Sequence, residues 1–492
     1  MNSSSCFFLE IPQKNRIFAN SFRHNMKRIL VLFFISVIAL PETFAQGFSL
    51  AINCQGIKAD SIHLQQFDGK KEFRNVLSSV YTKQATLKQK ATLPAGFYAV
   101  AADTTMLFTL LISEEKRQQL SVQVDFGQSV TFTGSDENNA SIAYEQRISQ
   151  YDAAHNALYQ QYADAQKSMP EYMLQTLVER LQAQDARISE EEGAYRDSMA
   201  QAFPGTLLAS IIQFDQNLPP APEQYYQNRN LMRLYYCQHC FDYYPFADAR
   251  MTTVPATAMR LREFCASVLY LSPADAAQTI NSLLNRAQAN ASTYHFFFDW
   301  LSKTFGSQGT PFYNEELYLV MLDNALAYPS LDKEHRVKCE TESKLHHLNM
   351  EGTTIANFNV LWGDGTRSTL HDVEAEYLLV YFQNPECPEC TMIRGFLAEN
   401  EELNKAIASG RLKVATIYFE RDEALWRRYL AGEAKAEYLH GWDVNGEIDD
   451  NTLFDLRAIP YMFLLDKDKK ILKKDLLYNE VSDYLKYFHI ID

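Results

Sequence analysis

An apolar run, Tyr377-Leu378-Leu379-Val380-Tyr381-Phe382, leads the chain to Cys387-Pro388-Glu389-Cys390, and a helical pattern follows at once. About seventy residues later stands Ala458-Ile459-Pro460-Tyr461-Met462-Phe463-Leu464-Leu465-Asp466, a proline opening a second apolar run. A short apolar run bounded by turn residues reads as a buried strand. A strand that brings a Cys-x-x-Cys to the start of a helix sets two sulfurs one turn apart, which is what dithiol–disulfide exchange needs. Cys387 would lie near unpaired N–H groups and the positive end of the helix dipole. Pro388 fits the first turn, where its missing N–H costs nothing. Cys390 can then reach back and resolve a mixed disulfide. Two blander readings compete: a plain disulfide that braces the helix start, and an inert domain used for protein contacts. Zinc is disfavoured, because no second Cys/His pair stands at finger spacing nearby.

The setting of the cysteines depends on how the chain begins. Met26-Lys27-Arg28 opens a basic segment, Ile29 to Leu40 is apolar, and Pro41-Glu42-Thr43-Phe44-Ala45-Gln46 closes it. This is the layout of a secretory signal peptide, with cleavage expected after Ala45 or Gln46 and a true start expected at Met26. The apolar run falls short of the roughly 20 residues that span a bilayer; an uncleaved anchor helix is the alternative. Export implies a periplasmic location, where a dithiol is either a structural bridge or a working redox pair. The chain has eight cysteines. Cys6 falls in the leader, and the remaining seven are an odd number, which argues against a simple disulfide scaffold.

With 492 residues the chain has room for about three domains. Its net charge of −15 argues against a nucleic-acid partner, since phosphate recognition needs clustered Lys and Arg. After the leader at 1–46, residues 47–137 alternate with period two. Phe48, Leu50 and Ile52, then Leu120, Val122 and Val124, mark strands, and Asp68-Gly69 and Phe126-Gly127 mark turns. The expectation is an N-terminal antiparallel β domain. From Ser135-Asp136-Glu137-Asn138-Asn139 onward the period changes: Tyr144, Ile148, Tyr151, His155, Leu158 and Tyr162 share one helix face. Residues 138–343 therefore read as a central α-helical domain, with breaks at Phe203-Pro204-Gly205 and Leu218-Pro219-Pro220. In 344–492 the order is strand 377–382, helix 388–408, strand 413–419, helix 422–431, a β-hairpin from 461 and a last helix, 480–487. That order describes an α/β sandwich.

At this point the chain resembles a known family. Ala356-Asn357-Phe358 with Asp364-Gly365, Leu378 to Cys390, Tyr418-Phe419-Glu420-Arg421-Asp422 leading to Trp426, and Ile459 to Asp466 are similar, in order, to extracytoplasmic thioredoxin-like proteins of the TlpA/ResA type. The resemblance implies a C-terminal α/β thioredoxin-like domain preceded by accessory domains. It also implies a redox-active Cys387–Cys390 pair, and at Pro460 a cis proline that positions an extended substrate. The stretch departs from the pattern where Asn384-Pro385-Glu386 replace the usual Trp, where Tyr381 stands in place of thioredoxin's buried Asp, and where Arg394 stands in place of the Glu of many TlpA-like proteins. Glu386 and Glu389 flank the thiols, and nearby negative charge disfavours a thiolate.

The expected function is therefore thiol–disulfide exchange with exported protein thiols or disulfides, in the reductive direction. Cys387 and Cys390 are the reacting residues, with no organic cofactor or metal. A membrane electron donor or acceptor would be the other partner. The alternative is a periplasmic binding or scaffold protein whose thioredoxin-like part is inert. Cys237-Gln238-His239-Cys240 repeats the spacing but sits in a helical stretch with no strand before it, and reads as buried apolar packing. His346-His347 reads as a solvated linker, Lys467 to Lys474 as a solvated hairpin, and Trp426 as core.

Overall fold

The computed structural model describes residues 47–491 apart from 56, 83, 116, 126–128 and 308–309. The leader at 1–46, with Cys6, and the turn at Phe126-Gly127 lie outside the described residues. The expected order is the order found: strands, then helices, then a mixed α/β sheet. The chain parts into two compact units, one running to Asn324 and the other from Ala325 onward. Among the described residues no helix is long and apolar enough to cross a membrane.

The first unit opens with strands β1 (Gly47–Gln55), β2 (Ser61–Phe67), β3 (Phe73–Val80), β4 (Gln84–Gln89), β5 (Gly96–Ala102), β6 (Thr105–Ile112), β7 (Arg117–Asp125) and β8 (Ser129–Thr133). They form two four-stranded sheets, ordered β4-β1-β7-β8 and β3-β2-β5-β6. The alternating apolar residues Phe48, Leu50, Ile52 and Val122 of one sheet share a core with Ile62, Leu64, Val100 and Leu110 of the other, as in a β-sandwich. The pairings are antiparallel except β1 with β7, which is parallel with Leu50 opposite Leu120. A parallel pair needs a long crossover; here the intervening chain visits the second sheet before returning.

Helices α1 (Asp136–Ser168) and α2 (Glu171–Ala202) follow as a long hairpin, then α3 (Leu207–Phe214), α4 (Arg229–His239), α5 (Pro255–Val268), α6 (Pro273–Ala287) and α7 (Ala291–Phe305). The last, α8 (Glu315–Ala327), straddles the division between the units. Ser135 caps α1 by accepting from the Asn138 N–H. The next two amides tie the helix to the sandwich. The Asn138 side chain accepts from Leu111 N at 2.7 Å and donates to Leu111 O at 2.8 Å. Asn139 does the same with Phe132 N and O, at 2.8 and 2.9 Å. Each amide imitates a neighbouring strand's backbone, so buried β-edge groups are satisfied.

The second unit contains α9 (Lys333–His346), β9 (Asn359–Trp362), β10 (Arg367–Thr369), β11 (Tyr377–Phe382), α10 (Pro388–Glu399), α11 (Glu401–Ala408), β12 (Leu412–Tyr418), α12 (Glu423–Gly432), β13 (Leu439–Trp442), α13 (Glu447–Asp450), β14 (Tyr461–Asp466), β15 (Ile471–Lys474) and α14 (Val481–Tyr487). Its strands form one sheet, ordered β10-β9-β13-β12-β11-β14-β15. The β11, β12 and β13 strands run parallel, while β14 is antiparallel to β11. Alternate residues of β11 face opposite layers. Leu378, Val380 and Phe382 pack with Phe358, Ile448 and Phe454. Leu379 and Tyr381 pack with Ile393 and Leu397 of α10, Leu403 of α11 and Leu485 of α14. Both faces are covered, which is why the strand reads as a continuous apolar run.

Two details depart from the sequence reading. The helix expected over 388–408 is broken at Asn400, whose extended backbone and side chain, accepting from Leu403 N at 2.8 Å, start α11. The expected solvated run Lys467 to Lys474 ends in a buried cation. Lys474 is 5% exposed, and its Nζ donates to His346 O at 3.0 Å and Leu348 O at 3.1 Å, capping the end of α9. Replacing Lys474 with Met should leave those carbonyls unpaired and cost about 1–3 kcal/mol. Denaturant unfolding followed by tryptophan fluorescence reads this out, because three of the four tryptophans, Trp362, Trp426 and Trp442, lie in the second unit.

The α1–α2 hairpin is clasped by His155. Its Nε2 lies 3.4 Å from Glu192 and its Nδ1 2.6 Å from Asp185. Glu192 in turn pairs with the buried Arg196 at 2.7 Å. The Glu192 and Asp185 contacts outweigh burial and hold the imidazolium up to about 8, above its ordinary 6.5. A raised pKa stabilises below the unfolded value, so this contribution is complete below about pH 6.5 and is lost as pH rises through about 8. His155→Gln should flatten that part of a stability–pH curve followed by circular dichroism, an effect on the order of 1 kcal/mol for this partly exposed group.

Candidate redox site

The strand β11 is fixed on both sides before it reaches the cysteines. Phe382 pairs with Ile417 of β12 and Tyr461 of β14, and Gln383 continues the ladder by donating to Ile417 O at 3.0 Å. Asn384 then shapes the turn. Its carbonyl accepts from Cys387 N at 3.1 Å, its Oδ1 accepts from Glu386 N at 2.7 Å, and its Nδ2 donates to Glu420 at 2.7 Å. Such side-chain-to-backbone bonding is what Asn does in turns.

The turn ends with Cys387 at the N-cap of α10 and Pro388 in the first turn. Cys387 Sγ accepts from Cys390 N at 3.3 Å, which gives the sulfur one of the helix's free backbone donors. Cys387 is half-buried and Cys390 fully buried. Both are free thiols here, so the geometry describes the reduced pair. Burial pushes the Cys390 thiol up to about 12. The expected flanking acids are both present, Glu389 exposed in the first turn and Glu386 paired at the surface with Arg428 at 2.7 Å.

Pro460 immediately precedes Tyr461, which pairs with Phe382. It therefore lies at the end of the sheet from which the cysteine turn departs. The Ile459–Pro460 peptide bond is cis. Tyr381, buried on the α10 side of β11, donates from its hydroxyl to Cys390 O at 3.0 Å, so it tethers the backbone of the second cysteine.

Beside the cysteines lies a partly buried polar cluster, of which the sequence reading named only Arg394, as a departure from the family pattern. Arg394, four residues after Cys390, donates to Gln383 Oε1, to Thr391 Oγ1 at 3.0 Å and to Glu433 at 2.7 Å. Its guanidinium sits 5.1 Å from the Tyr429 ring centre. His440 on β13 donates from Nε2 to Lys435 O at 2.9 Å. That fixes the tautomer and leaves Nδ1 to accept from Thr416 at 2.7 Å. Burial lowers the His440 pKa and keeps the ring neutral. Among the described residues Gln383 Nε2 and Tyr418 OH are buried without a partner at hydrogen-bond distance. The spacing of Arg394 from Cys390, which puts both on one side of a helix, was the one local signal of this cluster. Tyr429 and His440 arrive by tertiary folding.

The other candidates stay apart. Cys237 is buried near the end of α4 and Cys240 caps it, with burial pushing the Cys237 thiol up to about 12. Among the described residues neither belongs to a cluster of three metal-ligating side chains. His346 is buried against Glu342 at 3.6 Å, not in a solvated linker. Trp426 is core, packed with Tyr418, Tyr429 and Trp442.

Comparison with known proteins fits this geometry. A family model described as a domain of unknown function, DUF5106, matches residues 180–349. No curated protein matches. A crystal structure of a thioredoxin-like protein from Bacteroides caccae is 26% identical with a TM-score of 0.52, covering 56% of this chain and 98% of that one. The C-terminal domain of an uncharacterised protein from Bacteroides fragilis is 34% identical with a TM-score of 0.27, covering 28% and 98%. The thioredoxin domain of a thiol-disulfide oxidoreductase from Bacteroides vulgatus is 19% identical with a TM-score of 0.26, covering 28% and 97%. With its sheet order, its Cys-x-x-Cys at the start of α10 and its likeness to the Bacteroides caccae protein, the chain is a thioredoxin-like protein with additional domains ahead of the thioredoxin-like part.

Proposed function

We propose that this protein is an exported thiol–disulfide oxidoreductase that reduces disulfides in other exported proteins. The observation that carries the reading is the unequal placement of the two sulfurs: Cys387 reaches solvent at a helix start, and Cys390 waits buried one turn behind it. Cys387 attacks a substrate disulfide as the thiolate and releases one substrate thiol. Cys390 then attacks Cys387, closes the Cys387–Cys390 disulfide and releases the second thiol. Two electrons pass from the protein dithiol to the substrate. A membrane electron donor would return them. Pro460, at the same end of the sheet, would border the substrate strand. Export rests on the basic-then-apolar segment from Met26 to Gln46.

Insulin disulfide reduction tests the chemistry. The wild type should be active, Cys387→Ser should fall to background, and Cys390→Ser should trap a mixed disulfide visible by mass spectrometry. Equal rates for wild type and Cys387→Ser would remove the enzyme and leave the binding-scaffold reading. Direction is tested by equilibrating the pair with glutathione. A reductase should show a midpoint nearer the roughly −270 mV of thioredoxin than the roughly −120 mV of a strong oxidant; the reverse would make it an oxidase.

A further inference from the structure

Closing a disulfide requires the buried Cys390 to pass through a thiolate, and desolvation opposes that charge. A titrating carboxylate beside the second sulfur would be one solution. Here β11 contributes Tyr381 at that position, and its hydroxyl is spent on Cys390 O. Two groups favour charge on the Cys390 sulfur: first the Asn384 backbone N–H, a neutral donor, and then the Arg394 guanidinium, one turn further along α10. It is held unusually firmly. Its side chain is 12% exposed. Gln383, itself anchored to β12, accepts from it on one side; Thr391 and Glu433 accept on the other, and Tyr429 lies under its plane. A guanidinium clamped at four points keeps its place.

We infer that Arg394 is the electrostatic partner of the resolving step, holding negative charge on the Cys390 sulfur while it attacks Cys387. This rests on the exchange reading above. In that step the Cys390 thiol gives its proton to water and its sulfur bonds to Cys387. The bond between Cys387 and the substrate sulfur breaks, and the substrate leaves as a thiolate that takes up a proton. Beside the Asn384 N–H, which donates but carries no charge, the charged and titratable side chains around the sulfur leave the electrostatic role to Arg394. From β11, Tyr381 is pushed up by burial and stays neutral. On β12, burial raises Tyr418 to about 12. From α12, Tyr429 is likewise raised, and Glu433 is half-exposed and already paired with Arg394. On β13, His440 is kept neutral by burial. The β14 side offers Met462, which is apolar. Cys387, at the helix cap, is tied up in the mixed disulfide when Cys390 must ionise.

The test uses the full chain carrying a thionitrobenzoate mixed disulfide on Cys387, with release of the dye followed across pH. Arg394→Gln should slow release about tenfold at neutral pH and move the profile up by about one unit, the usual effect of losing a close opposite charge. Arg394→Lys, which keeps the charge without the fork, should recover most of it. Superimposable profiles for wild type and Arg394→Gln would overturn the assignment. Should Arg394→Gln fail to fold, Arg394→Met keeps the packing on Tyr429 and removes the charge. If the wild type itself releases no dye, the exchange reading falls. The NMR titration of a labelled Cys390 β-carbon then still decides Arg394: a shift between wild type and variant supports it, and no shift sinks it.

Discussion

The second unit is organised by one strand held from both sides. Pairing of β11 with β12 and β14 leaves no freedom in where Phe382 ends. Everything chemical follows from that end point. The turn through Asn384 places one sulfur at a helix cap and the other beneath it. The antiparallel partner brings Pro460 to the same edge, and the parallel partner supplies the anchor for Gln383. A shift of one residue would turn Tyr381 to the other face and take the tether from Cys390.

How much of this was readable in the chain depended on whether a signal was local. The β11 strand announced itself because both of its faces are buried, so six apolar residues stand in a row, and its bounds in the structure are the ones the run suggested. The cysteine helix was legible from its proline and its spacing, but its break at Asn400 was not, because an Asn in a polar stretch looks the same within a helix and at a cap. The β13 strand escaped altogether. It is four residues long and contains Gly441, a residue that ordinarily argues against a strand. The glycine is there because a Cβ would meet Val360 Cγ1 at 2.6 Å and Ile417 Cδ1 at 2.8 Å. With β13 unseen, His440 had no place in the reading.

Charged residues misled where burial was unexpected. A run of lysines suggested solvent, yet Lys474 caps α9, because helix-end carbonyls attract a cation even under cover. The same lesson applies to Arg394 and Arg196. Arg196 is buried and Arg394 largely so, and each donates to acceptors that come partly from distant sequence, so composition alone gives no hint of it.

The paired amides of Asn138 and Asn139 carry a consequence for dissecting the molecule. They close β6 and β8 with hydrogen bonds that belong to a helix. A fragment ending at the last strand would therefore bare two stretches of unsatisfied backbone, and such raw borders invite sticking between copies. The boundary between β and helical segments is a change of periodicity in the sequence, but physically it is a seam, and a cut made there would open the sandwich along it.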